Sequence, residues 1–200
     1  MFRIIGVFGD QTKVIRVKST ESLSWSGKDP SNIWSTSNLN TYLNGEYLTS
    51  LGTLADKIAT TTWKVGGGST TYLYDVPKKA YQYEVGGSSS ITTYDAKIGL
   101  MYVSDYGFAS DSSGWTTKLS SYSSNSSKDW LFSGWTISRI SDNSSKVFAV
   151  SANGNVYSEF SLMDFGARPV FFLESSITYI SGDGTIENPI RINWYTVDIL

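Results

Sequence analysis

The sequence predicts a single α+β domain over residues 1–200, with a twisted, mostly antiparallel sheet, one or two short helices and long polar loops. Short segments rich in β-branched and aromatic residues recur between turns that contain Gly, Asn and Asp, which is typical of antiparallel strands. One segment instead spaces its apolar residues three and four apart, as a helix does. The chain has no repeat, heptad or linker, and 40% apolar residues suffice for one core. Together these observations favour one domain of the α+β class.

The N-terminal segment is predicted to be a β-hairpin. Residues 4–8 and 13–17 are rich in β-branched side chains, and they flank the polar sequence Gly-Asp-Gln-Thr at 9–12. Gly and Asp are residues that hairpin turns favour. A polar loop is expected to follow, up to Pro30.

A short helix is predicted over residues 37–48. Ser-Thr-Ser at 35–37 offers hydroxyl groups that can cap the first turn. Four apolar residues then follow at helical spacing: Leu39, Tyr42, Leu43 and Tyr47. Gly45 could end this helix after two turns. A weaker apolar series at Leu51, Leu54 and Ile58 is compatible with either a helix or a turn.

The rest of the chain is predicted to be mainly strands and loops. Residues 61–65 and 80–85 alternate in polarity and each segment ends in glycines, so both are interpreted as strands. Residues 110–133 are mostly Ser, Asn, Asp and Gly, and a loop of that length inside a compact domain is usually functional or mobile. Further strands are expected at 135–140, 146–151, 155–160, 168–173, 176–180 and 190–194.

The composition argues against most kinds of catalysis. The chain contains neither histidine nor cysteine, so it lacks the commonest general base, any thiol nucleophile, any thiolate metal site and any disulfide. Carboxylates, Lys, Arg, Tyr and hydroxyl groups remain, and these suit sugar hydrolysis or the binding of hard cations. We expect no enzyme activity, no metal and no cofactor.

Charge and hydropathy restrict the partners. A net charge of -2 provides no basic excess for phosphate contacts, so nucleic-acid binding is not expected. No apolar run approaches the roughly 20 residues of a membrane helix. The first residues alternate like a strand and have no apolar segment of the signal-peptide kind. An export signal or N-terminal anchor is therefore expected to lie outside this chain.

Three possible chemistries have weaker support than their structural alternatives. Asp183, in Gly-Asp-Gly-Thr at 182–185, could help to hold Ca²⁺, but the same sequence is an ordinary hairpin turn, which we favour. A glycosidase needs two carboxylates that face each other. Six acidic residues are available for such a pair, although solvated loop charges are the favoured interpretation: Asp105, Asp111, Asp129, Asp142, Glu159 and Asp164. An intramolecular isopeptide bond could staple a cysteine-free domain, and four lysines lie on predicted strands: Lys13, Lys64, Lys97 and Lys146.

Residues 138–165 are the preferred candidate for a binding face. This stretch places short polar residues and a tyrosine between apolar strand positions, and Ser, Asn and Tyr are the types that recognition loops favour. The alternative is the polar outer face of any soluble hairpin. Tryptophans in the chain are expected to be mostly core residues, with Trp115 and Trp130 of the Ser-rich loop as the two that could be exposed. The candidate ligand-binding residues are Trp115, Trp130, Ser138, Asp142, Asn143, Asn153, Asn155 and Tyr157.

Several sequence blocks together resemble a known family. In chain order they are RIIGV at 3–7, WSTSNLNTYLN at 34–44, GLMYVSDYGFA at 99–109, WTISR at 135–139, GARPVFFL at 166–173 and GDGTIENP at 182–189. This set resembles an uncharacterised family of Firmicutes surface domains, often attached to prepilin-like or cell-wall-anchored proteins. That family is similar in turn to C-type-lectin-like proteins, which include formylglycine-generating enzymes and the variable proteins of diversity-generating retroelements.

The resemblance implies a C-type-lectin-like fold and a ligand-binding face ahead of the Gly-Ala-Arg-Pro block at 166–169. The cysteine chemistry of formylglycine-generating enzymes does not carry over, because the chain has no cysteine. The calcium-dependent sugar-binding motifs of lectins are absent as well. The resemblance also implies a structural role for Arg168, as a buried guanidinium that bridges backbone carbonyls.

The function expected from these observations is a non-catalytic, extracellular, adhesin-like module of a bacterial surface or pilus-like protein. Its partner would be a host, cell-surface or polymer ligand, contacted by aromatic anchors among short polar side chains. The alternative is a structural pilin or filament subunit whose loops pack against neighbouring copies. A carboxylate glycosidase is the third possibility.

Overall fold

The computed structural model describes residues 1–73, 75–86, 92–123, 131, 133–185 and 187–192. The described residues form thirteen strands: β1 (Phe2–Phe8), β2 (Gln11–Arg16), β3 (Ser22–Ser24), β4 (Thr61–Lys64), β5 (Thr93–Ala96), β6 (Ile98–Gly99), β7 (Gly134–Arg139), β8 (Lys146–Val150), β9 (Val156–Phe160), β10 (Asp164–Gly166), β11 (Val170–Leu173), β12 (Tyr179–Ser181) and β13 (Arg191–Ile192). The described α-helical segments are α1 (Asn38–Tyr42), α2 (Leu48–Ser50), α3 (Thr70–Leu73), α4 (Pro77–Tyr81) and α5 (Val103–Phe108).

Two sheets of four and five strands hold most of these strands. The first has the order β1-β2-β11-β6 and the second the order β3-β10-β7-β8-β9, while β4-β5 and β12-β13 form separate pairs. The pairings are antiparallel except the one between β10 and β7, where Gly166 lies opposite Gly134. The predicted α+β class is confirmed, but the expectation of one sheet is wrong, because the strands after residue 133 pair largely among themselves and with β3.

The predicted N-terminal hairpin is confirmed. Strands β1 and β2 pair antiparallel from Phe2 opposite Arg16 to Phe8 opposite Gln11. The connection is only two residues long, and its first residue, Gly9, has the positive φ of 64° that such a turn requires. The register shifts between Ile4 and Gly6, which leaves a bulge in β1 at Ile5.

The predicted helix over residues 37–48 is confirmed, and it extends slightly further. The Ser37 side chain accepts a hydrogen bond from the Asn40 amide and so caps α1. A wider π-helical turn over Leu43–Tyr47 joins α1 to α2. Gly45 therefore does not end the helix, and the weak apolar series that follows forms a 3₁₀ helix over Gly52–Lys57.

The strand predicted over residues 80–85 is wrong. The segment forms α4 and a π-helical turn over Gln82–Gly86. Pro77 occupies the first turn of the helix, where its fixed φ is favourable and its missing N–H costs nothing. Ala80 and Glu84 are buried four residues apart on one helical face, whereas the alternating Tyr81 and Tyr83 point to solvent. Tyr81 and Tyr83 are two positions apart, which is the spacing of residues on one face of a strand, and this spacing led to the wrong prediction.

Most strands predicted beyond residue 133 are confirmed as β7, β8, β9 and β11. The segments 176–180 and 190–194 contribute only the short β12 and β13, and residues 193–194 lie outside the described residues. Gly154, Gly182 and Gly184 have the positive φ expected of turn glycines. The described part of the Ser-rich loop contains two 3₁₀ turns, at Ser112–Thr116 and Leu119–Ser121.

One cluster of buried side chains connects both sheets and the helices. Four tryptophans are fully buried in it, as expected: Trp25, Trp34, Trp63 and Trp135. Arg168 packs at its edge, where Nε donates to the Val17 carbonyl at 3.3 Å and an Nη donates to the Leu131 carbonyl at 3.4 Å. Burial lowers the pKa of this guanidinium. The bridging role expected for Arg168 is confirmed.

Among the described residues, no helix has the length and apolar character needed to cross a bilayer.

Candidate functional site

The candidate residues between 138 and 165 do not form one face. Asp142 and Asn143 lie in the turn before β8, whereas Asn153 and Asn155 lie in the turn after it. A five-residue strand separates the two turns by about 17 Å. The first turn is tied to the body of the domain by Asn32, whose amide donates to the carbonyls of Ile140, Asn143 and Lys146. A ligand would have to cover the length of β8 to reach both turns.

Two of the predicted contact residues contact other side chains of the domain. Ser138 is fully buried, and its hydroxyl donates a short hydrogen bond to the carboxylate of Glu84, so its expected contact with a ligand is wrong for this conformation. Tyr157 is half-buried and packs edge-to-face on Phe165, with ring centroids 6.4 Å apart. Burial raises the pKa of Tyr157 to about 12, with a smaller contribution from Glu159.

Asn153 and Asn155 meet the Ser-rich loop in an open polar depression of about 490 Å³. Its other lining residues are Ser120, Ser121, Tyr122 and Ser123. The Asn155 side chain already accepts a short hydrogen bond from the Ser151 hydroxyl, and the Tyr122 hydroxyl donates to the Gly114 carbonyl. These internal bonds reduce what the depression offers to a ligand.

Trp115 is exposed, as expected, whereas Trp130 lies outside the described residues. The Trp115 indole Nε1 donates to the Ser110 carbonyl at 2.9 Å. Its ring packs edge-to-face on Phe108, with centroids 5.2 Å apart and an interplanar angle of 89°. Phe108 is the last residue of α5 and lines a large concavity.

That concavity is an apolar cleft of about 630 Å³ between β1 and the helices α4 and α5. We call it the apolar cleft, and its lining residues are Arg3, Ile4, Ile5, Phe8, Ile15, Tyr81, Met101, Ser104, Asp105, Phe108, Ala109 and Leu131. Nine of these twelve residues are apolar or aromatic. The volume lies within the range of sites that hold small ligands or a few side chains of a partner.

The β-bulge in β1 shapes one wall of the cleft. Consecutive strand residues normally point to opposite faces, yet Arg3, Ile4 and Ile5 all line this cleft. The bulge at Ile5 accounts for this, since the extra residue bends the strand and re-aims its side chains. Among the described residues, β1 pairs with β2 alone and is the outer strand of its sheet. The bulge therefore occurs where an open strand edge meets the cleft.

The rim of the cleft is unusually apolar for a protein surface. Ile4, Phe8, Tyr81 and Phe108 line it and are each exposed by more than a third of their surface. Trp115 adds a further exposed ring beside Phe108. Contiguous exposed apolar groups of this kind mark interaction sites more often than isolated ones do.

An ion pair lies beneath the cleft. Lys13 Nζ is 2.6 Å from Asp105 Oδ2, and the two side chains are 3% and 19% exposed. The same Asp105 oxygen accepts a hydrogen bond of 2.8 Å from the Tyr102 amide. Lys13 lines a smaller cavity of about 180 Å³, and Asp105 lines both this cavity and the apolar cleft.

Four aromatic rings surround the ammonium group of Lys13. The distances from Nζ to the ring centroids are 4.9 Å for Tyr102, 5.7 Å for Phe8, 5.7 Å for Phe172 and 6.0 Å for Trp63. Rings at these distances attract a cation and exclude water. Lys13 is the buried lysine that the sequence could not single out.

A second buried carboxylate stabilises the start of α5. Glu84 accepts hydrogen bonds from the amides of Val103 and Ser104, at 2.9 and 3.0 Å, and from the Ser138 hydroxyl. Burial raises the pKa of this carboxyl to about 7, against the lowering effect of the hydrogen bonds from Ser104 and Ser138. Glu84 does not line either cavity. Its bonds instead fix the helix that carries Asp105.

The carboxylates of Asp105 and Glu84 do not form the facing pair that a glycosidase uses. Such an enzyme needs two carboxyl groups that both face the sugar. In the cleft Asp105 is bonded to Lys13, and Glu84 is buried behind α5. Asp183 uses its carboxylate within its own turn, where Oδ1 accepts from the Thr185 amide and hydroxyl. The described part of the chain contains no cluster of three acidic side chains that could hold a metal ion.

Sequence reasoning missed the cleft because its walls come from distant parts of the chain. The quoted blocks at 3–7 and 99–109 contain most of the lining residues, but nothing in the sequence pairs the two. A local signal lies in the block at 99–109, where the acidic Asp105 follows the apolar Val103 by two positions in a segment that could form a helix. This signal does not indicate which residue would pair with Asp105.

The structure therefore defines a domain of two mostly antiparallel sheets and short helices, with an apolar cleft above an ion pair. Residues 9–175 match the family described as a domain of unknown function, DUF6273. Because the match covers most of the chain, this protein belongs to the DUF6273 family. Neither the curated proteins nor the solved structures contain a significant match to the chain.

Proposed function

We propose that the chain is a non-catalytic binding module, and that the apolar cleft holds an apolar segment of a partner protein. The observation that carries this proposal is the cleft itself, with a concave volume of about 630 Å³ and a rim of exposed apolar side chains. An extracellular location on a bacterial surface or pilus-like protein remains part of the proposal, and so does a C-type-lectin-like fold. Both come from the sequence resemblance alone.

The chemistry of the cleft favours an apolar occupant over a sugar. A sugar site presents several side chains that exchange hydrogen bonds with hydroxyl groups. Here the polar lining residues are Arg3, Ser104 and Asp105, and Asp105 already holds Lys13. Burial of apolar side chains contributes roughly 25 cal/mol for each Å² removed from water, so an apolar occupant would gain free energy on entering the cleft.

The position of the cleft along an outer strand favours a polypeptide over a compact small molecule. The lining residues of β1 run from Arg3 to Phe8, which corresponds to a length of about 17 Å. A segment laid along this length could place successive apolar side chains against Ile4, Ile5 and Phe8.

A direct test uses short synthetic peptides of graded apolar content, with binding measured by fluorescence polarisation. Ile4→Glu places a carboxylate in the cleft, and Leu162→Glu is the matched control, because both residues are 40% exposed and Leu162 does not line the cleft. We expect apolar peptides to bind the wild type and Leu162→Glu equally and Ile4→Glu at least tenfold more weakly. Equal binding to all three proteins would overturn the proposal.

The same surface also supports the alternative function, which is that of a structural subunit. Exposed Ile4, Val7 and Phe8 on an outer strand could pack against a neighbouring copy instead of a partner. Sedimentation of the wild type and of Ile4→Glu at increasing protein concentration distinguishes the binding module from the structural subunit. Self-association that Ile4→Glu abolishes, without peptide binding, would support the subunit.

A further inference from the structure

The contact between Lys13 and Asp105 has the geometry of a reactive pair. The amine nitrogen lies 2.6 Å from Oδ2, and the carboxyl carbon is one bond beyond that oxygen. Intramolecular groups react with effective concentrations far above any that free solutes reach when the reacting atoms, here Nζ and the carboxyl carbon, come within about 3–3.5 Å of each other. Strand β2 and helix α5 fix the two residues from opposite sides.

The pair is largely removed from water. Lys13 is almost fully buried among four aromatic rings. Transfer of two charges out of water is costly even when they pair. An amide bond between the two side chains would keep the packing and remove both charges.

From this geometry we infer that Lys13 and Asp105 condense to an intramolecular amide, which covalently joins β2 to α5. This inference concerns the scaffold of the domain and does not depend on the occupant of the cleft.

The reaction needs no further reagent. The Lys13 ammonium first transfers one proton to the Asp105 carboxylate. The nitrogen lone pair then forms a bond to the carboxyl carbon, and a second proton moves from nitrogen to the hydroxyl oxygen. The carbon–oxygen bond breaks, water leaves and a neutral amide remains, so that no atom or electron is unaccounted for.

Two groups near the pair suit this step. The Tyr102 amide donates to Asp105 Oδ2 at 2.8 Å, and so holds the carboxyl group in place beside Lys13 Nζ. Glu84 acts as a positioning residue, since its carboxylate holds the amides of Val103 and Ser104 at the start of α5. Asp105 lines both cavities, so the water released has a route to solvent.

The test is peptide mapping of the purified full chain by mass spectrometry after prolonged incubation at neutral pH. Trypsin does not cleave after an acylated lysine, so the linked protein should yield peptide 4–16 joined to peptide 98–118. The mass of this product should be the sum of the two peptides less one water molecule, and fragmentation should place the bond at Lys13 and Asp105.

Two variants complete the experiment. Lys13→Arg retains a cation but cannot form this amide, and we expect it to release peptides 4–13 and 98–118 separately. Lys97→Arg is the matched control, because Lys97 Nζ donates to the Ala55 carbonyl and contacts no carboxylate in the described residues, and it should keep the joined product. A wild-type protein that yields only separate peptides would overturn the inference, and so would a bond from Lys13 to any residue other than Asp105.

Discussion

The ring of Trp115 packs edge-to-face on the ring of Phe108, with centroids 5.2 Å apart. This contact extends the apolar rim of the cleft from α5 into the Ser-rich loop, so that one of the predicted contact residues borders the proposed site. Edge-to-face pairs contribute about 0.5–1.5 kcal/mol beyond their buried area. The loop is thereby held against the cleft.

The first prediction concerns this contact. We expect Trp115→Ala to weaken the binding of apolar peptides about tenfold while it lowers the free energy of unfolding by only about 1 kcal/mol, since Trp115 is 42% exposed. Calorimetric titration and urea unfolding measure the two quantities. Tyr179→Ala is the control, because Tyr179 is exposed and does not line the cleft. Equal peptide affinities for the two variants would exclude a role for Trp115.

The second prediction concerns the buried charges beneath the cleft. We expect Lys13→Met to lower the free energy of unfolding by at least about 3 kcal/mol, because Asp105 then keeps a charge without its cation and the proposed link between β2 and α5 is absent. The double variant Lys13→Met with Asp105→Asn should be more stable than Lys13→Met alone by at least about 1 kcal/mol. Neither protein can form the proposed amide, so the comparison isolates the unpaired charge. A less stable double variant would contradict it.

The third prediction is a pH dependence that arises at Glu84. Its pKa is raised to about 7 in the folded chain, from an ordinary value of 4.5. Below the ordinary value both the folded and the unfolded chain hold the proton, so this contribution to stability is fully present. As the pH rises towards 7 the folded chain binds more protons than the unfolded chain, and the free energy of unfolding falls. The shift corresponds to roughly 3 kcal/mol.

Urea unfolding of the wild type and of two variants at about pH 4 and about pH 8 checks this dependence. Glu84→Gln should lose the Glu84 part of the pH dependence, whereas Glu46→Gln, at an exposed position, should keep it. The Glu84→Gln variant should also be less stable by about 1–3 kcal/mol, because an amide nitrogen then faces a backbone N–H. An unchanged pH dependence in Glu84→Gln would refute the assignment.

The fourth prediction concerns the packing of α5 on α4. A Cβ atom at Gly107 would lie 2.7 Å from Pro77 Cγ and 2.9 Å from a Leu119 methyl group, so Gly107→Ala should destabilise the domain by about 1–3 kcal/mol. A Cβ atom at Gly45, by contrast, would have no other atom within 4 Å. Gly45→Ala should therefore stabilise the helix by about 0.5–1 kcal/mol. Thermal unfolding of both variants distinguishes them. Similar melting temperatures would contradict the close contact.

The sequence correctly predicted the elements whose ends are marked by a characteristic turn or capping residue. Gly9 marks the turn of the first hairpin, and Ser37 marks the start of the first helix. The segment 80–85 was misassigned because exposed Tyr81 and Tyr83 alternate like strand residues, while Pro77, the residue that indicates a helix start, lies outside that window. The number of sheets was missed because pairing between distant strands has no local sequence signal.

The candidate site was harder to predict than the fold. Asp142 and Asn143 lie between the predicted strands 135–140 and 146–151, but their separation from Asn153 and Asn155 depends on the direction of β8. Lys13 was recognised as a strand lysine, yet its burial results from contacts with Asp105 and four rings from other elements. The contact between Lys13 and Asp105 joins residues 92 positions apart, and one sequence does not reveal it. Trp115 is the predicted contact residue that borders the cleft.

The central claim is that the apolar cleft is where this domain binds its partner. Methyl NMR of isoleucine-labelled protein, titrated with the tightest apolar peptide, tests it most directly. We expect the methyl signals of Ile4, Ile5 and Ile15, which line the cleft, to shift while those of the exposed Ile33 and Ile180 do not. Shifts confined to Ile33 or Ile180, or no shift at any isoleucine at saturating peptide, would contradict the account.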